Sequence, residues 1–205
     1  MRLTESSYTD EDFVEVDLRD ASIDGVTFVR CDFSGATLAG ALTRRASFTE
    51  CTFVSAELYD CRHTGSSFVG CTFDRSSWRG STLTDCRLTG STFTDCPLIP
   101  LTITDTDLSL VSLGGATLKD TDLAGIRLQE ANLTGANLAG CNLAGADLSG
   151  ARTGGTDLRG ADLRGARCDA SLWVGARLEG ARIDVDQALL FAAAHGLQLA
   201  EPATA

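Results

Sequence analysis

A five-residue period runs through most of this chain and constrains its fold more than any other feature. The period is clearest across residues 131–150, which read Ala-Asn-Leu-Thr-Gly, Ala-Asn-Leu-Ala-Gly, Cys-Asn-Leu-Ala-Gly and Ala-Asp-Leu-Ser-Gly. Every residue whose number ends in 3 or 8 is the centre of a unit, and from Leu3 to Ile183 nearly all centres are Leu, Ile or Phe. A repeat of this kind has to be recognised before local secondary structure is assigned.

A period of five fits neither a helix, which repeats every 3.6 residues, nor a strand, which repeats every two. The chain must therefore turn once in each unit. Glycine recurs at the fifth position of the unit from Gly25 to Gly180. Because glycine adopts the positive φ of a type II turn without steric cost, each unit is predicted to be a very short extended segment followed by a corner.

The unit has the form Ala-(Asp/Asn)-Leu-x-x, and in this it resembles the unit of the pentapeptide-repeat proteins. The resemblance implies an all-β fold, a right-handed quadrilateral β-helix in which four units complete each coil. Two series of phenylalanines spaced by 20 residues agree with a coil of that length: Phe13, Phe33, Phe53, Phe73 and Phe93, and Phe28, Phe48 and Phe68. Like side chains would then stack at the strand spacing of about 4.8 Å.

The pattern divides the chain into two segments. Residues 1–183 are predicted to form the β-helix, with about nine coils in a rod about 45 Å long. Residues 184–205 are predicted to form a short C-terminal α-helix and a tail, with an N-cap at Asp184, helix over residues 187–195 and a C′ glycine at Gly196. So short and apolar a helix must pack either on the open end of the solenoid or on a second subunit.

The middle of the chain departs from the repeat without shifting its phase. Pro100 stands where glycine is expected and cannot adopt positive φ, so that corner is predicted not to be a type II turn. Leu101, Val111 and Ile126 are large residues in a position that is otherwise small. We therefore expect a locally wider coil near the middle of the rod.

The formal net charge is −11, and the first 24 residues contain the densest run of acids. This balance argues against direct binding of nucleic acid, which depends on Lys and Arg neutralising phosphates, and it favours a basic partner. The amino-terminal acids fit equally well a solvated cap that blocks end-to-end association and a binding surface. Without a recognisable leader or an apolar run of membrane-spanning length, the expected location is the cytoplasm, away from the membrane.

The cysteines and histidines do not indicate a catalytic site or a metal site. Seven of the eight cysteines occupy the small first position of the unit, which indicates buried thiols in a reducing compartment. Thr43 and His63 should be neighbours in one column, with His63 in the interior. No nucleophile, base and orienting group occur together, so we expect neither an enzyme nor a cofactor nor a metal site.

An acid-coated column offers a basic DNA-binding protein an imitation of DNA. The imitation is only partial, because a duplex carries one charge per about 1.7 Å, far more densely than this chain. Eight outward acids are predicted to be available to such a partner. They are Asp10, Asp12, Asp17, Asp20, Asp105, Asp107, Asp120 and Asp122.

Within the family, the chain resembles a mycobacterial fluoroquinolone-resistance branch. The resemblance rests on Pro100-Leu-Thr, on Leu113-Gly-Gly, on residues 145–152 and above all on the distinctive segment 181–197. It implies a DNA mimic that binds and modulates DNA gyrase. It also implies a homodimer joined through the carboxyl ends by Leu189, Leu190, Phe191 and Leu197.

Two alternatives remain open at the level of sequence, and the first is the DNA mimic that binds gyrase. The unbroken phase leaves no room for projecting loops, which departs from the loop-bearing relatives, so inhibition of gyrase and protection from the drug need not go together. The second alternative is an interaction scaffold for another protein complex, in which the acidic faces serve solubility.

Overall fold

The computed structural model describes residues 3–198, which form twelve three-residue strands and two helices. The strands are β1 (Ser7–Thr9), β2 (Ser22–Asp24), β3 (Thr27–Val29), β4 (Leu42–Arg44), β5 (Ser47–Thr49), β6 (Thr52–Val54), β7 (Arg62–Thr64), β8 (Ser67–Val69), β9 (Thr72–Asp74), β10 (Thr82–Thr84), β11 (Thr92–Thr94) and β12 (Thr102–Thr104). The helices are α1 (Ala170–Gly175) and α2 (Val185–Ala194).

Every strand pair is parallel and joins residues 20 positions apart, beginning with Ser7 opposite Thr27. Isolated bridges continue the same offset as far as Asp162 opposite Arg182. The strands form three sheets, each on one face of the column, in the orders β1-β3-β5-β8, β12-β10-β7-β4-β2 and β11-β9-β6. Isolated bridges such as Asp17 to Thr37 form the fourth face. The predicted all-β, quadrilateral β-helix is therefore confirmed.

The coils are joined by a ladder of backbone hydrogen bonds that repeats from unit to unit along most of the rod. In one unit the Phe33 N–H donates to the Thr52 carbonyl oxygen at 2.8 Å, and the Gly35 N–H donates to the Val54 carbonyl oxygen at 2.8 Å. The second-position N–H of the upper coil donates back, from Thr52 to the Cys31 carbonyl oxygen at 3.0 Å. Extended units this short are stabilised by the coils above and below them.

The ladder also fixes the corners. The fifth position has positive φ in most units whether or not it is glycine, as in Gly150 at 72° and Asp120 at 59°. Asp tolerates the left-handed region better than most side chains because its short polar group bonds locally. Glycine therefore eases the corner, but it is not required there.

Aromatic rings stack along the columns in the amino-terminal half of the core. Phe13 lies 4.8 Å from Phe33 with the two rings 5° apart, and Phe28 stacks on Phe48 at 4.8 Å. Neighbouring columns meet edge to face, as Phe28 and Phe33 do. Both arrangements are favourable for aromatic quadrupoles, and they confirm the predicted stacking at the strand spacing.

A small polar group lies inside this aromatic core. The Nδ1 atom of His63 lies 2.8 Å from the Thr43 hydroxyl oxygen, and that hydroxyl donates to the Ser66 hydroxyl oxygen at 2.9 Å. The Thr43 hydroxyl therefore accepts from Nδ1–H, while the Nε2 atom of His63 has no partner. Burial without a compensating charge lowers the pKa of His63 to about 3, so the imidazole is neutral.

The carboxyl end is closed by side chains that replace a missing coil. The Asp169 carboxylate accepts a hydrogen bond from the Gly150 N–H at 2.6 Å, and the Asp184 carboxylate accepts one from the Gly165 N–H at 2.8 Å. The side-chain amide of Gln187 donates to the carbonyl oxygens of two core residues, Leu163 and Ala166. Backbone groups that the next coil would have paired are thereby satisfied.

The helices differ from the sequence prediction in two ways. The helix α1 interrupts the repeat where the five-residue pattern predicted two further units. Leu172 and Trp173 are neighbours in sequence and both are buried, which a helix accommodates. α2 begins at Val185, two residues before the predicted start, with a capping box between Asp184 and Gln187. Part of the predicted tail, residues 199–205, lies outside the described residues.

Two further observations concern the chain as a whole. All eight cysteines are free thiols, and buried ones such as Cys61 donate to backbone carbonyl oxygens. Within residues 3–198, neither helix has the length and apolar character needed to cross a lipid bilayer.

The buried imidazole predicts an acid-labile fold. The folded state holds His63 neutral with a pKa of about 3, against an ordinary value of 6.5, so protons bind the unfolded chain preferentially between these values. Lowering the pH from 7 to 5 should reduce the free energy of unfolding of the wild type by about 2 kcal/mol more than that of a His63→Leu variant. Urea unfolding of both proteins at the two pH values measures this, and equal losses would contradict it.

Candidate partner-binding surface

Outward side chains occupy the second, fourth and fifth positions of each unit, and the eight predicted acids fall into two groups among them. Asp10, Asp20, Asp105 and Asp120 stand at corners, where all four have positive φ. The others, Asp12, Asp17, Asp107 and Asp122, stand at the second position. The structure therefore distributes the predicted acids around several corners and faces and does not gather them into one patch.

The second-position acids have a structural role in addition to their charge. Each accepts a hydrogen bond from the backbone N–H two residues later, as Asp12 does from Val14 at 2.8 Å. Asn137 makes the same bond to the N–H of Ala139 at 3.1 Å. Asp and Asn at this position therefore stabilise the turn equally, as side chains of this type do elsewhere.

Several of the predicted acids are already paired with arginine. Asp10 forms two hydrogen bonds of 2.7 Å with the Arg30 guanidinium, which lowers the pKa of the carboxyl group. Asp17 contacts Arg19 at 3.1 Å, and Asp107 contacts Arg127 at 3.5 Å. The side chain of Asp107 is only 20% exposed, so it is less available than the other acids, and its contact with a partner stays a prediction.

Four of the eight acids are exposed and have no cationic partner among the described residues: Asp12, Asp20, Asp105 and Asp122. Sequence reasoning missed further exposed corner acids, and the signal that could have found them is an acid at the fifth position. They include Asp60, Asp85 and Asp95, all with positive φ. The unneutralised charge therefore runs along the corners from the amino-terminal end to the middle of the rod.

Towards the carboxyl end the acids are neutralised. Arg159 and Arg164 each form a short ion pair, 2.6 Å long, with the acid two residues earlier in the chain, Asp157 and Asp162. Hydrogen bonds from these arginines lower the pKa of both carboxyl groups to about 2. Asp147 is paired with Arg167 at 3.3 Å. This half of the surface therefore presents a mixed and locally balanced charge.

Within the regular part of the rod, the ladder is interrupted between residues 95–105 and residues 114–124. No backbone hydrogen bond joins these two described segments, although bonds on the adjoining faces survive, from Phe93 to Ser112 and from Leu108 to Arg127. Pro100 lacks the N–H group that a fifth-position residue normally donates to the next coil, whereas the N–H that Pro97 lacks would have faced the preceding coil. Two open cavities of about 580 and 630 Å³ lie along the break, which we call the mid-rod groove. The irregularity here is an opening between coils, and the wider coil predicted from sequence stays a prediction.

Apolar side chains are exposed on α2 and just after its end. Leu189, Leu190 and Leu197 are 44%, 52% and 63% exposed, respectively. Phe191 differs, because its ring packs edge-on against Trp173 at 6.3 Å and lies 4.2 Å from the His195 ring. Three of the four predicted interface residues are therefore largely free in this chain, and the fourth holds α2 against α1.

Comparison with known proteins agrees with this architecture. The family model of pentapeptide repeats matches eight copies over residues 2–35, 31–62, 64–98, 106–143, 126–165 and 141–183. The chain therefore belongs to the pentapeptide-repeat family, as its unit predicted. Residues 99–105, which line the mid-rod groove, are left out of the match.

Among solved structures, the chain is similar to QnrB1, which is described as a plasmid-mediated fluoroquinolone resistance protein. A trypsin-treated form is 25% identical with a TM-score of 0.81, and the match covers 95% of this chain and 99% of that one. The full-length form is 25% identical with a TM-score of 0.76, over 93% and 100% of the two chains. No curated protein matches the sequence significantly.

Proposed function

We propose that this protein binds DNA gyrase as a partial mimic of DNA and modulates its activity. The observation that carries the proposal is the similarity to QnrB1, which extends over 95% of the chain and places it beside a fluoroquinolone resistance protein. The role is one of binding and not of catalysis. We also propose that it acts in the cytoplasm, where free thiols are stable.

The charge pattern supports a basic protein partner. Acids without a cationic partner recur along the corners, where side chains project furthest from the rod, and the ladder spaces successive coils by about 4.8 Å. Such an array attracts a positively charged DNA-binding groove over long range and speeds encounter. It remains sparser than a duplex, so the shape of the rod must contribute together with charge.

Drug protection is a separate property from gyrase binding. The 20-residue register runs through the bridged coils without an insertion, so the repeat projects no long loop from its faces. We propose that the regular acidic faces suffice to compete with DNA for gyrase. A supercoiling assay with and without a fluoroquinolone separates the two effects.

Replacing the unpaired acids should weaken inhibition of gyrase. The test variant carries Asp12→Asn, Asp20→Asn, Asp105→Asn and Asp122→Asn, because asparagine preserves the turn bonds and tolerates left-handed corners. In a supercoiling assay the variant should need at least about tenfold more protein for half-inhibition, and its inhibition should depend less on salt.

A matched control separates charge placement from net charge. It carries the same change in four acids that already have arginine partners: Asp107→Asn, Asp147→Asn, Asp157→Asn and Asp162→Asn. This control should inhibit nearly as well as the wild type. Equal weakening of both variants would mean that only total charge matters. If the wild type does not inhibit at micromolar concentration and captures another complex instead, the scaffold alternative is correct.

We also propose that two copies associate through their carboxyl ends, with Leu189, Leu190 and Leu197 in the seam and Phe191 supporting it. Exposed apolar groups on one helix face are costly in water unless a partner covers them. Leu190→Asp should yield monomers in sedimentation experiments, because a buried charge at the seam would be unpaired. Val174→Asp, which changes an exposed apolar residue of α1, is the comparison on the neighbouring helix. Dimers that persist in the Leu190→Asp variant would place the seam elsewhere.

A further inference from the structure

The mid-rod groove exposes the edge of a strand inside the rod. β12 pairs with β10 on one side only. On its other side the Ile103 and Asp105 N–H groups have no backbone acceptor, whereas the equivalent groups of Phe33 and Gly35 are bonded to the next coil. Across the groove, the N–H group of Asp122 likewise has no backbone partner. Exposed strand edges of this kind are templates for pairing with another chain.

The groove has room and an apolar floor. Its two cavities, of about 580 and 630 Å³, open on either side of Ile99 and Pro100. Leu101 and Ile103 line the larger cavity, and both also border a small apolar cavity in the core behind it. An extended segment that lies along β12 would direct alternate side chains inward onto these residues and outward to solvent.

The rim of the groove has an excess of negative charge. Asp95, Asp105, Asp120 and Asp122 stand along the two coils that border it. Against them stand Arg79 and Lys119, and Lys119 lies 3.7 Å from Asp120. The outward side chains of an occupant should therefore be basic.

We propose that the mid-rod groove binds an extended, basic peptide segment of a partner protein, which pairs with the free edge of β12 as an added strand. Unpaired backbone groups give such pairing its affinity, and pockets for alternate side chains give it specificity. Proline at position 100 helps to keep the groove open, because the fifth-position N–H of a regular unit donates to the next coil and Pro100 has no N–H to donate. The groove shares Asp105 and Asp122 with the acids proposed to bind gyrase, but strand addition is tested with a peptide in the absence of gyrase.

The probe is a labelled peptide of about seven residues in which valine and threonine alternate with lysine, the composition that suits a strand with one apolar and one basic face. It should bind the full chain in a saturable, one-to-one manner by fluorescence anisotropy. The amides of Ile103, Asp105 and Asp122 should become more protected from hydrogen exchange. Absence of binding at millimolar peptide, or protection elsewhere on the rod, would overturn the proposal.

A backbone-modified peptide tests the mode of binding on the unaltered protein. Methylating alternate peptide nitrogens removes the N–H groups that face β12 and leaves the charge unchanged. This peptide should bind at least about tenfold more weakly, since each lost bond leaves a group unpaired. Equal affinity of the two peptides would reduce the interaction to charge alone and would contradict strand addition.

Variants of the chain locate the site. Asp105→Asn should weaken binding of the peptide by about threefold to tenfold, whereas Asp60→Asn, an exposed corner acid away from the groove, should leave it unchanged. Pro100→Gly restores the donor that faces Lys119 across the groove, and it should close the groove and abolish binding. If that variant does not fold, the paired acid variants and the methylated peptide decide the question. Equal effects of Asp105→Asn and Asp60→Asn would count against the groove.

Discussion

The parallel ladder between coils, with its fixed offset of 20 residues, is the constraint on which the rest of this structure depends. It places each side chain directly above its equivalent in the previous coil, so that Phe33 stacks on Phe13 and His63 meets Thr43. It also imposes left-handed φ at the corners, including positions such as Asp120 where no glycine stands. Core, corners and surface are consequences of one hydrogen-bonding pattern, and the narrow cross-section leaves little freedom to vary any of them separately.

The same pattern sorts the surface charges by position in the unit. Second-position acids bond the N–H two residues later, and in the carboxyl-terminal half arginines also neutralise them. Corner acids such as Asp20 and Asp105 make no comparable bond within the described chain and project outward. Availability to a partner is thus decided less by the number of acids than by whether a cationic side chain pairs with each, since corners include both paired Asp10 and unpaired Asp20. This is why the acids without a cationic partner, and not the net charge of −11, form the basis of the proposed interaction with gyrase.

The ladder ends or fails in two places, and the chain treats them differently. At the carboxyl end, Asp169, Asp184 and Gln187 supply side-chain donors and acceptors to the backbone groups that a further coil would have paired. In the middle, Pro100 removes a donor that would face the next coil, and nothing in the described chain replaces it. A closed end stabilises the solenoid, whereas an unclosed break within the rod exposes a strand edge. The mid-rod groove is therefore the region of this surface that differs most from a regular repeat, and the family model omits residues 99–105 there.

The sequence by itself determined the repeat, the coil length, the stacked phenylalanines and the helix that follows Asp184, because each depends on local periodicity or a local cap. It also indicated that the coil near Pro100 would be irregular. Only the tertiary structure decided which acids are free. An ion pair such as Arg30 with Asp10 joins residues one coil apart, and elsewhere an arginine pairs with one of several nearby acids. It likewise decided that α1 interrupts the repeat and that Phe191 packs on Trp173, because both depend on how the last coils are covered. Periodicity specifies which residues share a column; contacts between coils decide what each one does there.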